Sequence, residues 1–121
     1  MSEFTRFRYV LAVNDLALSA AFYRDVLGFE DEGVDAEGWA FMRRGDWHVM
    51  LGECPDETPA LETNNHSYFA YLETTGIDAL HDEFSSAGAD ILQPLSDKPW
   101  GMREFAIRTL DGHRIMIGQQ L

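Results

Sequence analysis

The hydrophobic positions of the first half of the chain predict a strand followed by a helix. Tyr9–Val13 is a short apolar run, and Asp15 is a good N-cap for the helix that begins after it. Gly28 lies where that helix should end in a left-handed residue. Apolar side chains recur between these limits at helical spacing: Leu16, Ala20, Tyr23 and Leu27. We therefore expect one strand and one helix before Phe29.

The second half of the chain repeats this order. Ser67–Leu72 is again a β-type run, Thr74-Thr75 offer an N-cap, and Gly88 is placed to end the helix. The helical stripe consists of Ile77, Leu80, Phe84 and Ala87. The two stop glycines are separated by about half the length of the chain, which indicates an internal repeat.

Each predicted helix is followed by three predicted strands. In the first half these are Phe29–Asp35, Trp39–Arg43 and Trp47–Leu51, and in the second half Asp90–Pro94, Met102–Arg108 and Arg114–Gly118. Asp111-Gly112 is a strong hairpin turn. The prediction is an α+β fold of two βαβββ modules in a single domain, residues 1–121. Module one covers about residues 5–53, the polar, proline-bearing linker about 54–65, and module two about 66–120.

Alternation along four of the strands separates two faces. One face is wholly apolar or aromatic and should pack under the helices: Tyr9, Leu11, Val13, Val49, Leu51, Tyr68, Ala70, Leu72, Ile115 and Ile117. The other face mixes charge, sulfur, hydroxyl and aromatic groups: Arg8, Val10, Ala12, His48, Met50, Gly52, Ser67, Phe69, Tyr71, Arg114, Met116 and Gly118. Such a mixture suits a concave surface that binds a ligand. A solvated face or a dimer interface is the alternative.

Charge and cysteine content limit the classes of binding partner and indicate the cellular compartment. The 121 residues carry a formal net charge of −12, so nucleic acid and anionic membrane surfaces are poor partners. The single cysteine, Cys54, excludes an internal disulfide, and its acidic neighbours disfavour the thiolate. Together with the lack of a signal-peptide pattern, this favours a cytoplasmic protein. The carboxylates at Glu30, Asp31 and Glu32 are expected in a solvated segment, and His81 and His113 are expected to be exposed.

Two motifs resemble those of the vicinal-oxygen-chelate superfamily, which includes glyoxalases, bleomycin-resistance proteins and dioxygenases. Val13–Leu16, Ala21–Tyr23 and Val26–Phe29 resemble its first-module signature. Pro99–Phe105 followed by Asp111–His113 resembles the closing hairpin of its bleomycin-resistance-like members. The resemblance implies paired modules that form a cupped mixed sheet with helices on its outer face, usually in a homodimer. Fold alone does not settle function in such a family.

The resemblance also implies where a metal would bind. The four ligand positions of glyoxalase-like members fall on Arg8, Met50, Ser67 and Met116. An arginine cannot ligate a cation, and thioethers suit only soft ions. We therefore expect no metal and no cofactor. A slip of one residue would bring His66 into play, but it would push Tyr68, Ala70 and Leu72 off the core face.

The candidate ligand contacts are aromatic and polar residues of the mixed face and its rim. By resemblance to antibiotic-sequestering relatives, Trp39, Phe69 and Trp100 are stacking candidates. Arg8 could pair with an anionic ligand group or be neutralised by Glu104, and both alternatives stay open. The full set of predicted ligand-binding residues is Arg8, Trp39, Phe41, His48, Met50, Ser67, Phe69, Trp100, Glu104 and Met116. Core or dimer contacts are the alternative role for each aromatic residue, and this is favoured for Trp47.

Three functions are consistent with the sequence. The first is a metal-free homodimeric protein that binds a small aromatic, cationic or zwitterionic compound. The second is a glyoxalase-type lyase, isomerase or dioxygenase, either metal-free with His48 as the candidate base or metal-dependent in another strand register. The third is an accessory module that acts through its dimer interface. The expected absence of metal ligands favours the first.

Overall fold

A computed structural model describes residues 2, 5–62 and 68–121. The described part contains two α-helices, one short 3-10 helix and eight strands. The elements are β1 (Tyr9–Val13), α1 (Leu16–Asp25), β2 (Glu30–Asp31), β3 (Trp39–Arg44), β4 (Trp47–Glu53), a 3-10 helix (Ala60–Glu62), β5 (Tyr68–Glu73), α2 (Ile77–Ser86), β6 (Asp90–Asp97), β7 (Met102–Arg108) and β8 (Arg114–Gln120). The chain divides into two compact units, Met1–Glu57 and Thr58–Leu121.

Unit 1 is a four-stranded mixed sheet with α1 on one face. Its strand order is β1-β4-β3-β2, and β1 runs parallel to β4 while the other neighbours are antiparallel. The carboxylate of Asp15 accepts a hydrogen bond from the Leu18 backbone N–H at 3.1 Å and so caps α1. Gly28 follows the helix with φ 75°, as its predicted role as a stop requires.

Unit 2 repeats the plan with strand order β5-β8-β7-β6 and α2 on one face. β5 runs parallel to β8, and the other two pairs are antiparallel. Gly88 ends the second helical stretch with φ 87°. The α+β fold with a strand, a helix and three strands in each half is thereby confirmed.

The predicted helix-facing side chains form the cores of the two units. Val13, Val49 and Leu51 in unit 1 are at most 1% exposed, as are Ile115 and Ile117 in unit 2. Tyr23 of α1 and Phe84 of α2 are equally buried and lie on the predicted helical stripes. The hydrophobic alternation of the sequence therefore identified the core faces of both sheets.

Three details of the predicted elements are wrong. The strand expected at Phe29–Asp35 is reduced to Glu30–Asp31, because the Asp31 carboxylate accepts from the Gly33 N–H at 2.7 Å and turns the chain away from the sheet. The N-cap of α2 is Gly76 rather than Thr74-Thr75. The acceptor for the Ile77 N–H is the side chain of Gln119, at 2.8 Å.

The third error concerns Tyr68, which the sequence alternation assigns to the core face. The β5–β8 register shifts between Tyr68 and Ala70, so Phe69 lies in an irregularity of the bulge type. Because a bulge interrupts the two-residue alternation, Tyr68 shares the mixed face with Tyr71 instead of packing under α2. Ser67, the residue before it, lies outside the described residues.

Candidate ligand-binding faces

Unit 2 has an open groove on the face of its sheet opposite α2. Its volume is about 450 Å³, within the range of small-molecule sites. The lining is mainly aromatic: Tyr68, Phe69, Ala70, Tyr71, Trp100, Glu104 and Met116. Four of the predicted ligand residues therefore come together here, namely Phe69, Trp100, Glu104 and Met116.

A buried carboxylate holds two of the aromatic residues of the groove. Glu104 on β7 is 4% exposed, and its Oε2 accepts hydrogen bonds from the Tyr71 hydroxyl at 2.6 Å and from Trp100 Nε1 at 3.0 Å. Burial and the hydrogen bond to Glu104 raise the pKa of Tyr71 to about 12, so the phenol remains a donor at neutral pH. The structure thus gives Glu104 two donors that the sequence alone did not identify.

Gly118 makes room for this arrangement. It pairs with Glu104 across β7 and β8, and a Cβ at Gly118 would overlap the Tyr71 hydroxyl and lie 2.7 Å from Tyr71 Cζ. The Tyr71 side chain reaches Glu104 across bare backbone. A glycine with a large aromatic residue on the adjacent strand is the sequence signal that could have indicated this close approach.

Trp100 projects from the turn between β6 and β7. The turn is closed by the Gly101 N–H, which donates to the Lys98 carbonyl at 3.1 Å, and by the Lys98 N–H, which donates to the Met102 carbonyl at 2.7 Å. The indole N–H points to Glu104 while 65% of the residue surface is exposed. Trp100 therefore presents a ring held at one edge.

Phe69 has a neighbour that sequence analysis placed in solvent. The His113 ring meets the Phe69 ring edge to face, with centroids 5.4 Å apart. His113 is half-buried, and this burial lowers the pKa of its imidazole, which makes the neutral form dominant at neutral pH. His81, also expected to be exposed, is half-buried against Phe105 with ring centroids 5.0 Å apart. The exposed positions expected for His81 and His113 are therefore wrong.

In unit 1, Arg8 forms an ion pair with Glu32 rather than with Glu104. The guanidinium donates to the two carboxylate oxygens at 2.6 and 3.2 Å, and the side chains are 21% and 13% exposed. Hydrogen bonding to Arg8 lowers the pKa of Glu32, so this carboxylate is ionised at neutral pH. The solvated position expected for Glu32 is also wrong. The arginine lies over the Phe41 ring, with 5.3 Å from its central carbon to the ring centroid.

His48 adjoins this ion pair. Its Nδ1 is 3.5 Å from Glu32 Oε1, and this buried nitrogen has no hydrogen-bond partner among the described residues.

Trp39, two strands from β1, lies flat over Gly52, where a Cβ would meet the indole ring at 2.9 Å. Trp39 is 40% exposed, and Met50 pairs with both Phe41 and Val10. Unit 1 therefore brings together Arg8, Trp39, Phe41, His48 and Met50 on its mixed face. Trp47 packs against Phe29 with centroids 4.6 Å apart, which agrees with the favoured core role.

The sequence of the whole repeat matches one family model. Residues 6–117 match the model described as Glyoxalase/Bleomycin resistance protein/Dioxygenase superfamily. The chain belongs to this superfamily. No curated protein matches the chain significantly.

Solved structures of this superfamily and of related proteins share the fold. The chain is 30% identical to the bleomycin-binding protein of Streptomyces verticillus, solved in complex with copper(II)-bleomycin; the match covers 97% of each chain with a TM-score of 0.73. TioX from Micromonospora sp. ML1 is 25% identical over 98% of this chain and 100% of its own, with a TM-score of 0.76. A superfamily protein from Alicyclobacillus acidocaldarius shares only 12% identity but has a TM-score of 0.82 over 97% and 92% of the two chains.

The residues at the four positions that the sequence resemblance assigns to a metal do not fit a hard divalent cation. Arg8 donates to Glu32 and has no lone pair to offer, while Met50 and Met116 supply thioether sulfur. Ser67, the fourth position, lies outside the described residues. Within residues 5–62 and 68–121, no three His, Cys, Asp or Glu side chains are grouped so that they could hold a metal ion. No helix of the described part is long and apolar enough to cross a membrane.

Proposed function

We propose that this superfamily member is a metal-free protein that binds and sequesters a flat aromatic small molecule. The observation that carries this proposal is the groove of unit 2, where the exposed Trp100 ring is fixed at its edge by Glu104. A ring that is already held in place loses little conformational entropy when a ligand stacks on it. Stacked aromatic pairs are worth about 0.5–1.5 kcal/mol beyond the area that they bury.

The charges favour a cationic or zwitterionic ligand. Glu104 adds a buried carboxylate to a chain of formal net charge −12. The positive charge of Arg8, which would oppose a cation, is paired with Glu32. The relative from Streptomyces verticillus, a bleomycin-binding protein solved in complex with copper(II)-bleomycin, supports a function in small-molecule binding.

The mixed face of unit 1 supplies a second set of proposed contacts. Trp39 offers a ring for stacking, because it rests on the bare backbone of Gly52 and keeps 40% of its surface exposed. His48 and Met50 offer polar and polarizable groups on the same face. We include Arg8 and Phe41 as the charged and aromatic pair beneath a ligand on this face. Ser67, which belongs to the sequence of unit 2, remains a separate proposed polar contact.

Fluorescence titration tests this proposal. Copper(II)-bleomycin and the flat cationic dye proflavine are titrated separately into the protein while tryptophan emission is recorded. We expect saturable binding of at least one probe and an affinity about tenfold lower in Trp100→Ala, because a lost stacking contact of about 1.4 kcal/mol changes affinity tenfold.

Leu110→Ala is the matched control, since Leu110 is an exposed apolar residue of the same unit that does not line the groove. This variant should bind as the unaltered protein does. Failure of both probes to bind would contradict the proposed function. If Trp100→Ala binds the probe as tightly as the unaltered protein does, the groove is not the binding site.

A further inference from the structure

Glu104 lines the groove and receives both of its hydrogen bonds from the protein at one carboxylate oxygen. The Tyr71 hydroxyl and the Trp100 indole N–H both donate to Oε2, at 2.6 and 3.0 Å. No residue of the described ranges donates a hydrogen bond to Oε1. An ionised carboxylate can accept about four hydrogen bonds, two at each oxygen. Half of the accepting capacity of this buried group is therefore unused.

The position of the unused oxygen relates it to a stacked ligand. Because the Trp100 N–H donates to Glu104, the carboxylate lies beside the edge of the indole ring rather than against its face. A flat ligand stacked parallel to that ring would place its own edge beside the same carboxylate. An N–H on this ligand edge could then reach Oε1, whereas a carbonyl or ring nitrogen lone pair would face a negative charge.

Tyr71 and Gly118 hold the Glu104 carboxylate in one orientation, which lets it distinguish ligand donors from ligand acceptors. The Tyr71 hydroxyl occupies the space over Gly118 and donates to Oε2, so it fixes the orientation of the carboxylate. When a stacked ligand covers this oxygen and displaces its water, an acceptor left without a donor carries a desolvation cost, which a ligand N–H removes and a ligand acceptor does not. Discrimination between these two kinds of ligand edge follows from that difference.

We propose that Glu104 is the specificity-determining residue of the groove and selects flat ligands that carry an amino or protonated ring N–H on the edge beside Trp100. This inference rests on the proposed function, because it names the ligand class of the same groove. Oε2 positions the aromatic walls, and Oε1 accepts the ligand N–H. The ligand class is therefore a flat heteroaromatic N–H donor, and positive charge strengthens its hydrogen bond.

The test uses two cationic dyes with the same three fused rings. Proflavine carries N–H groups at its edge, and N-methylacridinium has the charge but no N–H. Their affinities are measured by dye fluorescence for the unaltered protein and for Glu104→Gln. If the glutamine oxygen keeps the Tyr71 and Trp100 hydrogen bonds, its amide group takes the place of Oε1 and presents a donor to the ligand.

We expect Glu104→Gln to lower proflavine affinity about tenfold or more and N-methylacridinium affinity by a clearly smaller factor. Glu62→Gln, which removes an exposed carboxylate of the same unit, should lower both affinities slightly and equally. Tryptophan emission without dye should differ from that of the unaltered protein in neither variant, as expected if the surroundings of the indoles are unchanged.

Three other outcomes would overturn the inference, and each points to a different cause. Equal losses for the two dyes in Glu104→Gln would mean that charge alone acts, without a directed hydrogen bond. Unchanged affinities would mean that Glu104 does not contact the ligand, although the groove still binds flat molecules. If neither dye binds the unaltered protein, the inference fails, and if copper(II)-bleomycin does not bind either, the proposed function fails with it.

Discussion

At the scale of single residues, two glycines form the backing of the aromatic walls. Gly52 lies under Trp39 and Gly118 under Tyr71, and in both places a Cβ would overlap the aromatic side chain. Sequence alternation placed both glycines on the mixed face but could not show what covers them. Contacts of this kind depend on cross-strand register, which the sequence of one strand does not contain.

Gly118→Ala should disturb the groove through Tyr71. The new Cβ would overlap the hydroxyl that donates to Glu104, so we expect a loss of about 1–3 kcal/mol in the free energy of unfolding. Tyr71→Phe removes the overlapping oxygen, and the double variant should therefore lose less than the sum of the single losses. Urea unfolding measures all four proteins. If the loss in the double variant equals the sum of the two single losses, positions 71 and 118 do not interact.

The Arg8–Glu32 ion pair predicts a pH dependence of stability. The pKa of Glu32 is lowered in the folded protein, so its contribution is complete above the ordinary glutamate pKa of about 4.3 and is lost as the pH falls through the folded value. Glu32→Gln should cost about 1–3 kcal/mol at neutral pH because it weakens the hydrogen bonding of a half-buried guanidinium. This difference should shrink below about pH 4.

Urea unfolding of the two proteins between neutral and acid pH checks this prediction. Glu30→Gln is the control, since Glu30 forms an exposed ion pair with Arg43 whose side chains are 66% and 44% exposed. It should change stability little at any pH. A Glu32→Gln effect that does not vary with pH would contradict the assigned role of the ion pair.

At the scale of elements, the repeat and both helices could be predicted because their signals are local. Asp15, Gly28 and Gly88 lie next to the helix ends that they define. The bulge at Phe69 and the cap of α2 by Gln119 could not be predicted, because each depends on a residue far away in sequence. Arg8 and Glu32 are separated in the same way, and their pairing was missed for the same reason.

Gln119→Ala should destabilise unit 2 at the start of α2. Its side-chain oxygen is the acceptor for the Ile77 N–H at 2.8 Å, and loss of a helix cap costs about 0.5–2 kcal/mol. Gln120→Ala is the matched control, since Gln120 is an exposed neighbour at the end of β8. Thermal unfolding compares the two variants. Equal melting temperatures would show that Gln119 is not the cap.

At the scale of the whole molecule, exposed apolar side chains favour a homodimer. Phe7, Val10 and Val34 of unit 1 are 67%, 61% and 48% exposed, and a second copy of the chain could cover such surface. We expect sedimentation equilibrium at micromolar concentration to give twice the mass of one chain. A mass of one chain across that range would contradict the dimer.

We propose that the whole molecule binds a flat cation without the help of a metal. Calorimetric titration of proflavine into protein treated with a chelator and then freed of it tests this most directly. We expect saturable binding with the same affinity before and after chelator treatment and after addition of divalent metal ions. Binding that disappears with the chelator and returns only with a metal would contradict it.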